Sequence, residues 1–192
     1  MGLAEAGGGT AGGAEAAAER LVASGATALV SFGLAGGLDP ALSAGALVIP
    51  THVIERDHLY GVDSALAARF GTLMPLRALS AAAILATPEA KRDARAATGA
   101  AIVDLESGAV ARVAARHGLH FAVVRAVCDP AGFALPPLAL AALDAAGRIT
   151  VGRVLASLLR HPGQIPALLA LSGHAASARA ALSRLTSKSR GP

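Results

Sequence analysis

Residues 27–55 read TALVSFGLAGGLDPALSAGALVIPTHVIE, and the fold class follows from how that stretch divides. Thr27–Phe32 is a short apolar run of the kind that forms a buried strand. Gly33–Gly45 reads as a glycine-rich loop, and Ala46–Glu55 as a second strand rich in β-branched residues. Upstream, Ala14–Ser24 has helical composition and stops at Gly25, where a left-handed cap is expected. The interval Leu21–Leu38 carries no charge and is about long enough to span a bilayer. Four glycines interrupt it and Asp39-Pro40 closes it, so a buried strand running into a loop is the better reading.

Downstream, the alternation continues. Arg56–Asp63 reads as a polar surface loop followed by a short helix, and Ala78–Ala86 as a strand weakened by its alanines. Thr87-Pro88 supplies an N-cap and a first-turn proline for a helix to about Ala97. Ala100–Val103 is a strand, Glu106–His117 a helix ending at Gly118, and Leu119–Val127 another strand. Pro137–Ala146 and the segments from Thr150 to Leu185 read as helices, interrupted around Pro162 and Pro166. Strands alternating with helices predict an α/β fold with a largely parallel sheet covered on both faces. Residues 1–13 are expected to be disordered, 14–146 to form the α/β domain, and 147–192 to be its helical C-terminal extension.

Composition agrees with one domain. The 192 residues are 54% hydrophobic and 16% charged, which excludes a disordered chain. Aromatics make up 3%, without Trp, so few stacking platforms exist and nucleic acid is not an expected partner. A lone Cys128 forms no intramolecular disulfide, and no basic stretch precedes an apolar core at the N-terminus, so a cytoplasmic protein is expected. The net charge of +4 is unevenly placed: no acid follows Asp144, while the first 144 residues hold 10 basic and 13 acidic groups. A basic tail on an acidic body fits either a solvated helix face or peripheral contact with an anionic membrane.

Ligands in open α/β sheets bind outside the carboxyl ends of strands. Three such ends carry unusual residues here: Gly33-Leu34-Ala35-Gly36-Gly37, Asp104 leading to Glu106, and Cys128-Asp129-Pro130. Parallel neighbours would converge on one pocket. Each piece also has a plain structural role. The glycines make a turn, Asp104 caps a helix that Glu106 stabilises through the helix dipole, and Asp129 before Pro130 starts a turn. His117 and His120 straddle a helix end, so a shared metal is not expected there, and His52 and His58 flank the polar loop.

Three segments resemble, in order, those of the nucleoside phosphorylase and methylthioadenosine/adenosylhomocysteine nucleosidase superfamily. Ser31–Pro40 followed by Gly45–Pro50 is similar to its glycine loop and next strand, Val103–Ala111 to its ribose-binding segment, and Val124–Asp129 to the strand ending in its catalytic aspartate. Asp129-Pro130-Ala131, Leu135-Pro136-Pro137 and His161–Leu169 narrow the resemblance to the hopanoid-associated phosphorylases.

The resemblance implies a phosphorylase/hydrolase-like three-layer αβα fold with a mixed, largely parallel sheet. It also implies cleavage of the N-glycosidic bond of a purine nucleoside, with adenosylhopane as one substrate, by a homo-oligomer. Asp129 would be the general acid at purine N7, and Glu106 would hold the ribose hydroxyls beside the cationic sugar. Leu105 would pack on the sugar, and Arg125 would orient Asp129 or Glu106. Backbone N–H groups of Ala35, Gly36 and Gly37 would bind inorganic phosphate, the possible co-substrate, or water. No other cofactor and no metal is implied.

Ser31 and Leu34 stand where many phosphorylases place a phosphate-binding arginine and hydroxyl, which leaves hydrolysis open. The superfamily's first strand has no counterpart before Ala14, and Gly2–Ala6 echoes its loop, making Glu5 a candidate substrate contact. The alternative is a truncated or degenerate relative that keeps the fold without catalysis and serves as a lipid- or membrane-associated module.

Overall fold

The computed structural model describes residues 4–137, 139, 163 and 165–188. Helix α1, Ala11–Ala23, begins where the Thr10 hydroxyl accepts from the Gly13 N–H. That is three residues ahead of the expected start at Ala14, because the capping hydroxyl lies inside the glycine-rich run. Gly25, at φ 86°, follows the last turn.

Strand β1, Ala28–Gly37, corrects the reading of Gly33–Gly37 as a loop: these residues are the second half of the strand. Neither Gly33 nor Gly36 needs a left-handed backbone. At both positions buried side chains press on the strand and crowd the place a Cβ would take. A Cβ at Gly33 would lie 2.6 Å from Arg125 Nη1, and one at Gly36 would lie 3.0 Å from Asp129 Oδ2.

The expected strand Ala46–Glu55 divides into β2, Leu47–Val48, and β3, Pro50–Glu55, with proline at the first position of a strand, where its missing N–H costs least. The supposed loop Arg56–Asp63 contains β4, His58–Gly61, hairpinned to β3 with Glu55 opposite His58. Its residues are mostly exposed, apart from Tyr60 against the core, so no apolar alternation announced it. After α2, Ser64–Ala68, comes β5, Met74–Ser80, four residues ahead of the alanine-rich run where a strand was expected.

Helix α3, Pro88–Thr98, is capped by Thr87 and closed by Gly99 at φ 67°. Then follow β6, Ile102–Asp104, α4, Ser107–Arg116, and β7, His120–Asp129. Helix α5 spans Ile165–Lys188. The helix expected over Pro137–Ala146, and the part of the next before residue 163, lie almost wholly outside the described residues.

The sheet order is β2-β7-β1-β6-β5-β3-β4. The pairs β1/β7, β3/β5 and β5/β6 are parallel, while β1/β6, β2/β7 and β3/β4 are antiparallel. Strand β7 shows why the layers number three. Its Phe121, Val123 and Val127 join Ala18 of α1 and Ala111, Val113 and Ala114 of α4 in one core. Its Ala122, Val124 and Ala126 pack with Ala67 of α2 and Ala178, Ala181 and Leu182 of α5 in another. Side chains alternate across a strand, so a continuous apolar run fills both cores. Val123 and Val124 are wholly buried, worth about 1.5–3 kcal/mol each. On the surface, Arg112 and Arg116 of α4 bind Glu15 of α1 at 2.9 Å.

Candidate active site

Strand ends from β1, β6 and β7 do meet, β1 and β7 as the parallel neighbours expected and β6 not. β6 runs antiparallel to β1, with Gly36 opposite Val103 and Gly37 opposite Ile102. That register brings the chain after β6 alongside β1, so Leu105 and Glu106 reach the same cavity as Asp129 at the end of β7. The cavity has a volume of about 340 Å³, and Ala35, Gly36, Leu105, Glu106, Cys128 and Asp129 line it, with Leu34, Ile84, Leu85, Leu135 and Leu171 as apolar walls.

Glu106 occupies the N-cap position of α4 but makes no side-chain capping bond. Asp104 does that work instead: its Oδ1 accepts from the N–H groups of Glu106 at 2.9 Å and Ser107 at 2.8 Å, and its Oδ2 takes the Ser107 hydroxyl. The Glu106 carboxylate is therefore free to serve the cavity. Its Oε1 accepts from the Gly9 N–H at 2.9 Å and its Oε2 lies 3.4 Å from Arg125 Nη1. Gly9 lines the cavity as well, so the N-terminal segment reaches the site. Gly7 passes so close that a Cβ there would lie 2.9 Å from Glu106 Oε1.

Arg125 is fully buried and does not line the cavity. Its guanidinium pairs with Asp104 Oδ2 at 2.9 Å and donates to the Ser31 and Ser107 hydroxyls at 2.7 and 3.0 Å. Of the two acids it was expected to orient, its ion pair is with Glu106. Ser31 is thus a second support for this buried cation.

The cation at Asp129 is Lys91 of α3, which the sequence reading missed. Its Nζ lies 2.8 Å from Asp129 Oδ2, and its side chain is wholly buried. Its helix does show an inward spacing: Lys91, Ala94, Arg95 and Thr98 face the protein while Arg92, Asp93, Ala96 and Ala97 are exposed. A lysine on that buried stripe was the available signal. The other carboxylate oxygen, Oδ1, accepts from the Cys128 thiol at 3.2 Å. Burial first, and then the Asp129 charge, push the Cys128 thiol well up, so it stays protonated and donates.

The remaining candidates divide. Ala35 and Gly36 line the cavity but belong to the sheet ladder, with a bulge between them, rather than to a free cradle of amides. Gly37 packs against Val127, Pro130 and Ala131. Glu5 is not brought to the cavity; its Oε2 accepts from Arg20 Nε and Nη2 at 3.1 and 3.0 Å on the surface. His117 pairs with Glu19 and His120 with Asp63, and His52 with Thr51. Among the described residues, no group of three or more His, Cys, Asp or Glu could hold a metal, and no helix is long and apolar enough to cross a membrane.

A family model described as "Phosphorylase superfamily" matches residues 2–160. Similar solved structures include an S-adenosylhomocysteine nucleosidase of Streptococcus pyogenes bound to 5-methylthiotubericidin. It is 20% identical, with a TM-score of 0.58, and the match covers 64% of each chain. A futalosine hydrolase of Helicobacter pylori is 18% identical, with a TM-score of 0.58 and 64% of each chain covered. A 5′-methylthioadenosine/S-adenosylhomocysteine nucleosidase of Colwellia psychrerythraea, in complex with adenine, is 20% identical with a TM-score of 0.58; the match covers 64% of this chain and 63% of that one. At these identities the likeness is one of fold, and the chain spans just under two thirds of each neighbour's length. No curated protein sequence matches it.

Proposed function

Since this chain belongs to the phosphorylase superfamily, we propose that it cleaves the N-glycosidic bond of an adenine nucleoside, with water as the nucleophile. One observation carries the reading: Glu106 and Asp129, delivered by β6 and β7, share one cavity with apolar walls.

Departure of the base leaves a cationic, oxocarbenium-like sugar and an anionic purine, both of which an enzyme gains by neutralising. Glu106, held from behind by Arg125 and the Gly9 N–H, accepts hydrogen bonds from the ribose hydroxyls and places negative charge beside the cation. Leu105 packs on the sugar. Asp129 carries a proton to purine N7 as the C1′–N9 bond breaks, while water adds to C1′ and gives up a proton in exchange. Water is favoured over phosphate by the lining, whose charged members are Asp104, Glu106 and Asp129. A phosphate dianion there would meet three acids, with Arg125 and Lys91 already committed to carboxylates.

Within this activity we take adenosylhopane as the substrate. Ile84, Leu85, Leu135 and Leu171 surround the cavity, and Ile84 is 41% exposed, which suits an apolar group on the ribose 5′ carbon.

Purified protein incubated with adenosine, methylthioadenosine and adenosylhopane, with and without phosphate, tests this. We expect adenine and the free sugar at a rate indifferent to phosphate, fastest with the lipid nucleoside. A sugar 1-phosphate product would overturn water as the nucleophile. Absence of base release, together with salt-sensitive binding to anionic vesicles, would favour the non-catalytic membrane-associated module instead.

A further inference from the structure

Lys91 is a wholly buried ammonium that the reaction outlined above does not use. Four oxygens surround its Nζ: Asp129 Oδ2 at 2.8 Å, and the backbone carbonyls of Asp129 at 3.1 Å, Pro130 at 3.0 Å and Phe133 at 3.0 Å. Ion pairs at such depth carry a desolvation penalty that close packing with apolar side chains avoids, so stability alone is a weak reason to find one here. From this coordination, and resting on the proposed glycosidic cleavage, we propose that Lys91 is a positioning residue for Asp129: it anchors the carboxylate beside the leaving base, lets the carboxyl turn to the base once protonated, and takes the carboxylate back as the proton leaves.

The donor count is what makes release possible. An ammonium has three N–H donors, and here it faces four acceptors. When Oδ2 turns toward the base, the three carbonyls still satisfy all three donors, so no buried N–H is left without an acceptor. The carbonyls also tie the chain from Asp129 to Phe133 to α3, and Leu135, two residues on, lines the cavity. Lys91 thus holds the segment permanently and the carboxylate conditionally. It is not a proton source, because its side chain has no exposed surface through which water could restore a lost proton. The proton for the base reaches Asp129 from the cavity side.

Oδ1 has its own donor in the Cys128 thiol, so the carboxylate is gripped at both oxygens. Removing Lys91 leaves that one grip and frees the group to rotate away from the line to the base.

The test compares two substrates that differ in their need for an acid. Adenosine must have its base protonated; p-nitrophenyl riboside expels a stable phenolate and needs no proton. Lys91→Met strands the four oxygens and is a severe change, so Lys91→Gln, which keeps N–H donors for the carbonyls, is made beside it. The rates are measured on variants whose thermal unfolding remains cooperative. We expect kcat for adenosine to fall at least about tenfold further than kcat for the nitrophenyl riboside, with KM shifting little between the substrates. Equal losses on both would reduce Lys91 to a structural role and overturn the proposal, as would full adenosine activity in either variant. If the unchanged protein releases no base from any nucleoside, the proposed function itself fails. If it does release base but the two rates fall together, only the role of Lys91 fails.

Discussion

Gly36→Ala is the smallest perturbation that reports on the site. The added Cβ would lie 3.0 Å from Asp129 Oδ2, 3.3 Å from Oδ1 and 3.1 Å from Val103 Cγ1. Ordinary contact begins at 3.4 Å, so the carboxylate must retreat by about 0.4 Å, although Lys91 and Cys128 already grip its two oxygens. Position 36 has no left-handed backbone, so alanine brings no dihedral strain and the whole effect is displacement. Misplacement by 1 Å costs about a hundredfold in rate, and 0.4 Å therefore costs several-fold to about tenfold. Stability should drop by less than about 2 kcal/mol, because overpacking is partly offset by the lower chain entropy of alanine in the unfolded state. Gly12→Ala is the control: nothing lies near its Cβ at an exposed position of helix α1, and it should gain about 0.5–1 kcal/mol. Steady-state base release and thermal unfolding of both variants read the two effects. Unchanged kcat in Gly36→Ala would refute the claim that this glycine exists to admit the Asp129 carboxylate.

Other expectations follow from neighbouring contacts. Glu106→Gln removes the charge facing the sugar and should lower kcat about a hundredfold, measured on the same nucleosides, with the fold intact by circular dichroism. Gly33→Ala puts a methyl group 2.6 Å from the buried Arg125 guanidinium. It should cost about 3 kcal/mol in denaturant unfolding, since the guanidinium can shift only by disturbing its contacts to Asp104, Ser31 and Ser107. Acid should weaken the fold: hydrogen bonds from Arg112 and then Arg116 hold Glu15 below its ordinary 4.5, and the Ala41 N–H and then Arg95 hold Asp39 below its ordinary 3.8. Carboxylates lowered in this way add stability that is fully present above those ordinary values. It is lost as pH falls through the lowered ones, so the melting temperature should decline below about pH 4.5 and level off above it.

Features whose physics is local could be read from the sequence. Thr87-Pro88 starts a helix because a hydroxyl and a proline suit its first turn, and β7 announced itself by an apolar run that fills two cores. Asp104 was legible as a cap, and Glu106 and Asp129 by their place at strand ends. What escaped depended on partners distant in sequence. The second half of β1 looked like a loop because glycine is ambiguous: here it makes room for Arg125 and Asp129, 92 and 93 residues away from Gly33 and Gly36 respectively. β4 is ordered by pairing with β3 and buries little. The antiparallel placement of β6 could not be inferred from alternation, which favours parallel neighbours. Lys91 was invisible until the Asp129–Phe133 turn folded over it, since its four oxygen partners come from residues 38 to 42 positions further on.

Base release by Asp129→Asn, relative to the unchanged protein on the same adenine nucleoside, bears on the whole account most directly. Asparagine keeps the shape of the group and cannot hand over the proton, so the rate should fall by about 10²–10⁴-fold while nucleoside binding persists. A variant that releases adenine as fast as the original would contradict the account.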